Sequence, residues 1–584
     1  MLHKARVAVS HKPMETPCES RSVTPLRNST KMVRKSSKTA LSVVSAGLLT
    51  ATFLGMAAGP ALTASPALAA SASTAPLVIG GLGGTFQENF NPFSAALKGT
   101  MGMIYQPLFY FNRYTSKVTP LLGMSFGWSN HDKTLTVHLR HGVQWSDGKP
   151  FTARDVVYSF DIRKRFPQLD TAGVWQYLSD VRAIGPYTVQ FQFKQIDVPF
   201  QWYILGQTPI IPQHIWANVA NPATTLNLRP IGTGPYVFHS FNSQEYSFAA
   251  NPRYFAGEPA VRQVQFLGFA NNTVTAGELA QGRIDWGSAF IPNIQRVFVQ
   301  ANPRTNHYWF AGGATLMLYT NFKDPLLSQL SVREAISYAL NRQKINQADY
   351  YYAPIANVFD MLNRTTKAWL SPALARQYKG ALQYNPAKAV AIIRQAGFKK
   401  NSNGVFVSPS GKALSFNLQV VSTYSEWVAM ASIIASELDR VGIHVNVQGE
   451  SASLYGNNLF KQHQYQLAIS WTDTGPTPFY AYYSMMYPNL PSNSENWNSP
   501  ATTRLLNTYL HTAQPAVQHR VMDALEGIVA RDMPAIPLVE TPGWFEYSTK
   551  NFVGWPTAKN PYAGGAPWSS PSNGIVLEHL RPVK

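Results

Sequence analysis

In "HLRHGVQWSDGKPFTARDVVYSFD", residues 138–161, two histidines and three aspartates share 24 residues. Imidazoles and carboxylates at close range are what a metal site or an acid/base pair requires. The spacing argues against both. His138 and His141 are three apart in an extended run, where side chains at odd separations point to opposite faces. Asp147-Gly148 is a turn signal, and Thr152 with Asp155 fits a capping box opening a helix. His138, His141, Asp147 and Asp155 are therefore expected in turn, cap and surface roles.

Other apparent chemistry fails on context. Gly123-Met124-Ser125-Phe126-Gly127 matches GxSxG, but a nucleophile elbow needs a helix after the serine, and "GWSNHDKTLTVHL" supplies a turn and a strand. The glycines of "GGLGGTFQENFNPF" have the wrong third spacing for a dinucleotide fingerprint, and Pro92 arrives where its helix should open. There is no HExxH and no CxxC. No isolated, apolar-flanked carboxylate pair stands out for glycoside hydrolysis, Asp473 being the nearest candidate. No catalytic residue, metal or cofactor is expected.

Aromatic stretches are the stronger signal. "LAISWTDTGPTPFYAYYSMMY" places Trp471 at a strand end, then a Gly/Pro loop with Phe479 and Tyr480 beyond it, and "STYSEWV" puts Tyr424 and Trp427 at a strand-to-helix junction. Loops at the carboxyl ends of strands are where open α/β sheets bind ligands. Aromatic faces there suit sugar rings or peptide side chains.

The elements that would position these residues follow from period and punctuation. "LVIG" reads as a buried strand, "TLTVHL" and "YTVQFQFK" as alternating strands, and "VTAGELAQG" as a helix stopped by Gly282. "LSFNLQVVS" and "HVNVQ" flank the helix "SEWVAMASIIASELDRVG", a β-α-β alternation that predicts parallel-sheet α/β lobes. At 584 residues the chain exceeds one ordinary core, so at least two domains are expected.

Composition narrows the class. With 45% hydrophobic, 12% aromatic and 14% charged residues the chain is globular, and its net charge of +19 is scattered without a basic run, which excludes a nucleic-acid partner. The imbalance is a shortage of acids, which suits an acidic exterior because few paired carboxylates must protonate there. Arg34, Lys35 and Lys38, the apolar run 40–58 and the small-residue exit before Ala69 read as a signal peptide over residues 1–69, with a possible start-site extension. Cys18, the only cysteine, precedes the apolar run. The expected product is exported, periplasmic or extracellular, without a lipid-anchoring cysteine or disulfides.

The run "PLLGMSFGWSNHDKTLTVHLRHGVQWSDGKPFTARDVVYSFD" resembles the signature of the family 5 extracellular solute-binding proteins, the peptide and nickel receptors of ABC importers. "RPIGTGPYVF", "NPRYFAGEPAVRQVQF", "VREAISYALNRQKI", "YNPAKAVAIIRQAGF" and "LEGIVARDMPAIPLVE" follow in that family's order. The resemblance implies a bilobal, type II periplasmic-binding-protein-like α/β fold with an extra domain inserted in lobe I. Carried over, lobe I comprises 70–107, 228–318 and 537–584, the inserted domain 108–227, and lobe II 319–536. The chain would cross between lobes near "LMLYTNF" and "AIPLVE".

The same resemblance places a ligand between the lobes and a membrane permease as partner of a monomeric, non-catalytic receptor. Trp471 would stack on the ligand, with Asp473, Asn271 and Glu88 as hydrogen-bond acceptors. Gln87, Asn89 and Phe90 lie on the first-strand loop expected to face the cleft, and Trp286 and Phe290 follow the "GRID" strand of lobe I. An oligopeptide and an oligosaccharide both remain open as ligand. "GPTPFYAYY" and "NFVGWPTAKNPYAGG" look more like the branch that binds cello- and other β-linked oligosaccharides. A secreted hydrolase acting on the same polymers is the competing class.

Overall fold

A computed structural model of the chain describes residues 75–81, 83–94, 97–349, 353–360, 365–472, 474–490 and 492–583. The signal-peptide reading, Cys18 and Asp473 lie outside them. Among the described residues no helix is long and apolar enough to cross a membrane.

Strand β1 (Leu77–Gly80) starts a seven-stranded sheet. The chain then leaves to build a separate four-stranded sheet from β2 (Gly123–Ser129), β3 (Thr134–Leu139), β4 (Leu178–Gly185) and β5 (Thr188–Phe193), ordered β2-β3-β5-β4. Helix α1 (Ala153–Arg165) packs on it. The capping box forms as the sequence predicts: Thr152 caps the first turn, and Asp155 Oδ2 accepts from the Thr152 amide at 2.9 Å.

The chain returns to the first sheet with β6 (Tyr236–Asn242), β7 (Glu245–Ala250) and β8 (Gln263–Leu267), passes through helix α2 (Asn272–Ala280), and adds β9 (Trp286–Gly287) and β10 (Asn306–Tyr308). A five-stranded sheet follows, built from β11 (Thr315–Thr320), β12 (Ser415–Val421), helix α3 (Ser425–Val441), β13 (His444–Glu450), β14 (Leu467–Trp471), helix α4 (Phe479–Met486) and finally β15 (Ala535–Glu540). Strand β16 (Glu546–Ser548) re-enters the first sheet. The orders are β10-β16-β9-β1-β8-β7-β6 and β13-β12-β14-β11-β15.

The β-α-β reading holds where the pattern was clearest. β12 and β13 pair in parallel from Ser415↔His444 to Val421↔Glu450, with α3 between them in sequence. Helix α3 buries Trp427, Met430, Ala431, Ile434, Leu438 and Val441, the three-and-four spacing of one helical face, and stops at Gly442 with φ +87°. The lobes are not purely parallel, however. β11 runs antiparallel to both β14 and β15; the β15 pairing arises because β11 and β15 carry the chain into and out of this lobe in opposite directions.

That arrangement also bears on the expected crossing. "LMLYTNF" and "AIPLVE" include β11 and β15, which lie wholly in the five-stranded sheet and pair from Thr315↔Glu540. Next to them, the chain passes between the two sheets in the ribbon that links these strands to the β10–β16 pair. There the Trp309 amide donates to the Phe545 carbonyl (3.1 Å), Gly312 to Pro542 (3.1 Å), Gly313 to Thr541 (2.9 Å) and Thr541 to Ala314 (2.7 Å). Gly312 (φ +83°) and Gly543 (φ +65°) occupy the left-handed region that side chains resist.

Candidate functional site

The opening histidine–aspartate stretch resolves into scaffolding. His141 stacks on Tyr187 at 4.1 Å, Asp147 pairs with His214 at 2.8 Å, and buried Asp155 also accepts the Gln213 amide at 3.1 Å. Ser125 of the GxSxG match lies within strand β2. Among the described residues no group of three or more His, Cys, Asp or Glu is placed to hold a metal ion.

Trp471 ends β14 and is 44% exposed. Its ring rests against buried Trp427 at 5.1 Å and 58°, and Trp427 meets the Tyr424 ring edge-on at 5.2 Å. The exposed indole is thus backed by aromatic packing from the first turn of α3 and its N-cap. Its strand neighbour is β11 at Leu316, and the Thr472 amide donates to the Thr315 carbonyl (3.0 Å). Trp471 therefore lies at the crossing end of the second lobe's sheet.

Arg113 joins this loop to the crossing. Its Nη1 donates to the Gly313 carbonyl (2.9 Å) and to Thr474 Oγ1 (2.8 Å), and its Nη2 to the Gly312 carbonyl (3.2 Å) and the Tyr114 hydroxyl (3.0 Å). Beside it is a cavity of about 20 Å³, room for about one water, lined by Arg113, Asp360, Thr472 and Thr474 among others. Asp360 is 3% exposed and accepts from the Thr472 hydroxyl (3.3 Å). Desolvation, opposed by threonine hydrogen bonds, pushes its carboxyl up to about 7.

At the same carboxyl ends of the strands, but displaced sideways along both sheets from the crossing, the lobes touch. Asn272, the first residue of α2, donates from Nδ2 to Glu426 Oε2 (2.7 Å) and Ser425 Oγ (3.0 Å) in the first turn of α3. In the first sheet β8, which precedes α2, is separated from the β10–β16 edge by β9 and β1. In the second sheet β12, which precedes α3, is separated from β11 by β14.

Several residues picked from sequence are placed otherwise. Phe479 stacks on Tyr509 at 4.4 Å and 7°, and Tyr480 donates to the Pro199 carbonyl (2.7 Å) and packs on Trp202. All eight residues of α4 are buried, so its aromatics join the second lobe to the four-stranded domain. Phe90 is buried among Phe238, Tyr246 and Phe248. Asn89 accepts from the Asn91 amide in a local turn, Glu88 faces Arg229 at 3.3 Å, and Gln87 is exposed.

Trp286 is fully buried, donating from Nε1 to the Gly565 carbonyl (2.6 Å). Phe290 packs on Trp544 of the crossing ribbon at 5.6 Å. The Asn271 side chain caps α2 through the Val274 amide (3.0 Å), so the interlobe contact falls to its neighbour. Arg113, Asn272 and Glu426 were not signalled by sequence. Apart from Tyr114, their partners lie 153 to 361 positions away, and no local motif marks them.

Two α/β lobes joined by a two-strand ribbon, touching again between helix starts displaced sideways from it, with an exposed aromatic at the crossing, define a bilobal solute-binding protein. The chain belongs to the bacterial extracellular solute-binding proteins, family 5: residues 117–494 match the model described as "Bacterial extracellular solute-binding proteins, family 5 Middle". It is similar to the nickel-binding periplasmic protein of Escherichia coli, 24% identical over 82% of this chain and 90% of that one. The oligopeptide-binding protein AppA of Bacillus subtilis is 24% identical over 71% and 77%. A mannohexaose-bound periplasmic oligopeptide-binding protein of Thermotoga maritima superposes with a TM-score of 0.81 at 27% identity, covering 87% of this chain and 98% of that structure.

Proposed function

We propose that the protein is the exported, monomeric, non-catalytic receptor of an ABC import system, and that it captures an oligosaccharide between its lobes for delivery to the membrane permease. The observation that carries the sugar reading is Trp471, a half-exposed indole at the crossing whose other side is backed by Trp427. A flat, rigid apolar face of this kind suits the C–H face of a pyranose ring at low entropic cost. The likeness to a mannohexaose-bound structure at 27% identity supports the same class.

On this reading lobe I is drawn from residues 70–107, 228–314 and 541–584, the inserted domain from 108–227, and lobe II from 315–540, with the crossing at the glycine ribbon. Closure selects the liganded state through contacts made only when the lobes meet.

A peptide ligand is the second reading, favoured by the name of the Bacillus relative. A thermal-shift series of cello- and manno-oligosaccharides, short peptides and nickel ion separates these. Concentration-dependent stabilisation by an oligosaccharide alone is expected. Stabilisation by peptides or nickel ion in its place overturns the sugar assignment, and turnover of either polymer overturns the receptor assignment.

A further inference from the structure

Trp568 is, with Trp471, one of the two most exposed tryptophans among the described residues, at 41% against 44%. It belongs to the other lobe. The segment leading to it runs along the crossing end of the first sheet. A Cβ on Gly564 would meet the Tyr114 ring at 3.5 Å. The Gly565 carbonyl accepts from Trp286 of β9 (2.6 Å), and Trp568 Nε1 donates to the hydroxyl of Ser288 (3.0 Å). Ser288 follows β9 directly. Because β9 is antiparallel to β16, whose first residue leaves the crossing ribbon, the carboxyl end of β9 is the end nearest the crossing.

Each lobe therefore presents one exposed indole at the crossing end of its sheet, and the same pair of residues ties both surroundings together. Arg113 holds Thr474, three positions after Trp471, while Tyr114 borders Gly564 and donates to the Gly312 carbonyl (3.2 Å). The indole of Trp568 is also held in place: its one polar atom is occupied by the buried Ser288, so its ring is fixed before any ligand arrives and little rotamer entropy remains to be lost.

We propose that Trp568 is a second stacking platform, contributed by the first lobe, so that the rings of one bound β-linked oligosaccharide rest on an indole from each lobe. The inference rests on the sugar-receptor reading and adds to it a lobe I residue. It makes ligand capture depend on closure, since a ring stacked on Trp471 gains its contact with Trp568 only when the lobes come together. Ser288 is a positioning residue acting through its bond to the indole.

The test is titration calorimetry of the full mature chain with cellopentaose and mannohexaose, for wild type, Trp568→Ala, Trp568→Phe and Ser288→Ala. Melting temperature serves as the folding control. Trp568→Ala is expected to lose at least tenfold in affinity with an unchanged melting temperature, Trp568→Phe to recover part of the loss, and Ser288→Ala to lose less than Trp568→Ala. Wild-type affinity in Trp568→Ala, alongside weakened binding in Trp471→Ala, overturns the second platform and leaves the receptor reading intact. Failure of the wild-type chain to bind either sugar overturns both.

Discussion

Asn272 donates to Glu426 across the interlobe boundary at 2.7 Å. The acceptor is 5% exposed, and burial pushes its carboxyl up to about 7 against the hydrogen bonds from Asn272 and Ser425 that pull it down. A short bond between two helix starts, both beyond the carboxyl ends of strands, links the lobes at a point displaced sideways from the ribbon that connects them covalently.

Asn272→Ala removes that donor without touching α2's cap, which is Asn271. The population of closed, unliganded protein should fall, because one hydrogen bond to a carboxyl contributes about 1.5–3 kcal/mol. Small-angle scattering of the unliganded variant should give a larger radius of gyration than wild type, and ligand affinity should fall because the competent state is rarer. An unchanged radius would show that the contact follows closure and does not hold it.

The buried acids set the pH dependence of stability. Asp197 and Glu546 are fully buried and pushed up to about 8, and Asp360, Glu426 and Glu526 to about 7, each chiefly by desolvation. Their unfolded values are near 4, so the folded chain binds more protons between about pH 4 and 8. Their contribution is therefore fully present at the acid end and is lost as pH rises through 7 to 8. Melting temperature should be higher at pH 5 than at pH 8, as the acid-poor composition suggested for an acidic exterior. A melting temperature that rises across that interval would refute the account.

The two tryptophans of the second lobe should separate binding from folding. Trp471→Ala removes an exposed platform and should weaken ligand binding by about 1–3 kcal/mol with little change in urea midpoint. Trp427→Ala deletes a side chain that is 2% exposed and should cost about 3–5 kcal/mol of stability. Calorimetry and urea titration of both variants decide this. Equal stability losses would place Trp471 in the core.

How far the sequence could be read depends on how local each feature is. The α1 capping box and the α3 apolar stripe each follow from residues within one or two turns, and all were legible. The crossing near β11 and β15 is placed only approximately by sequence because both strands are as apolar as any core strand, and only their pairing with each other shows which sheet they serve. Phe479 and Tyr480 present a related difficulty. An aromatic run looks the same whether it faces a ligand or a neighbouring domain, and here it faces Trp202, Pro199 and Tyr177. Asn271 was one residue from the interlobe contact, since its own side chain is consumed by the helix it starts.

The ribbon offers a contrast between two adjacent glycines. A Cβ on Gly312 would meet nothing within 4 Å, yet its φ is +83°, so Gly312→Ala isolates the cost of a left-handed backbone, about 1–2 kcal/mol. A Cβ on Gly313 would lie 2.5 Å from Thr541 Oγ1, the atom that accepts the Ala314 amide at 2.7 Å. Gly313→Ala must therefore displace that hydroxyl and open the ribbon where the lobes join. Both variants should lower the urea midpoint, but Gly313→Ala should in addition slow ligand-induced closure in stopped-flow tryptophan fluorescence, because the two strands must keep their pairing while the lobes move. Normal closure kinetics in Gly313→Ala would mean that Thr541 is not part of the pivot.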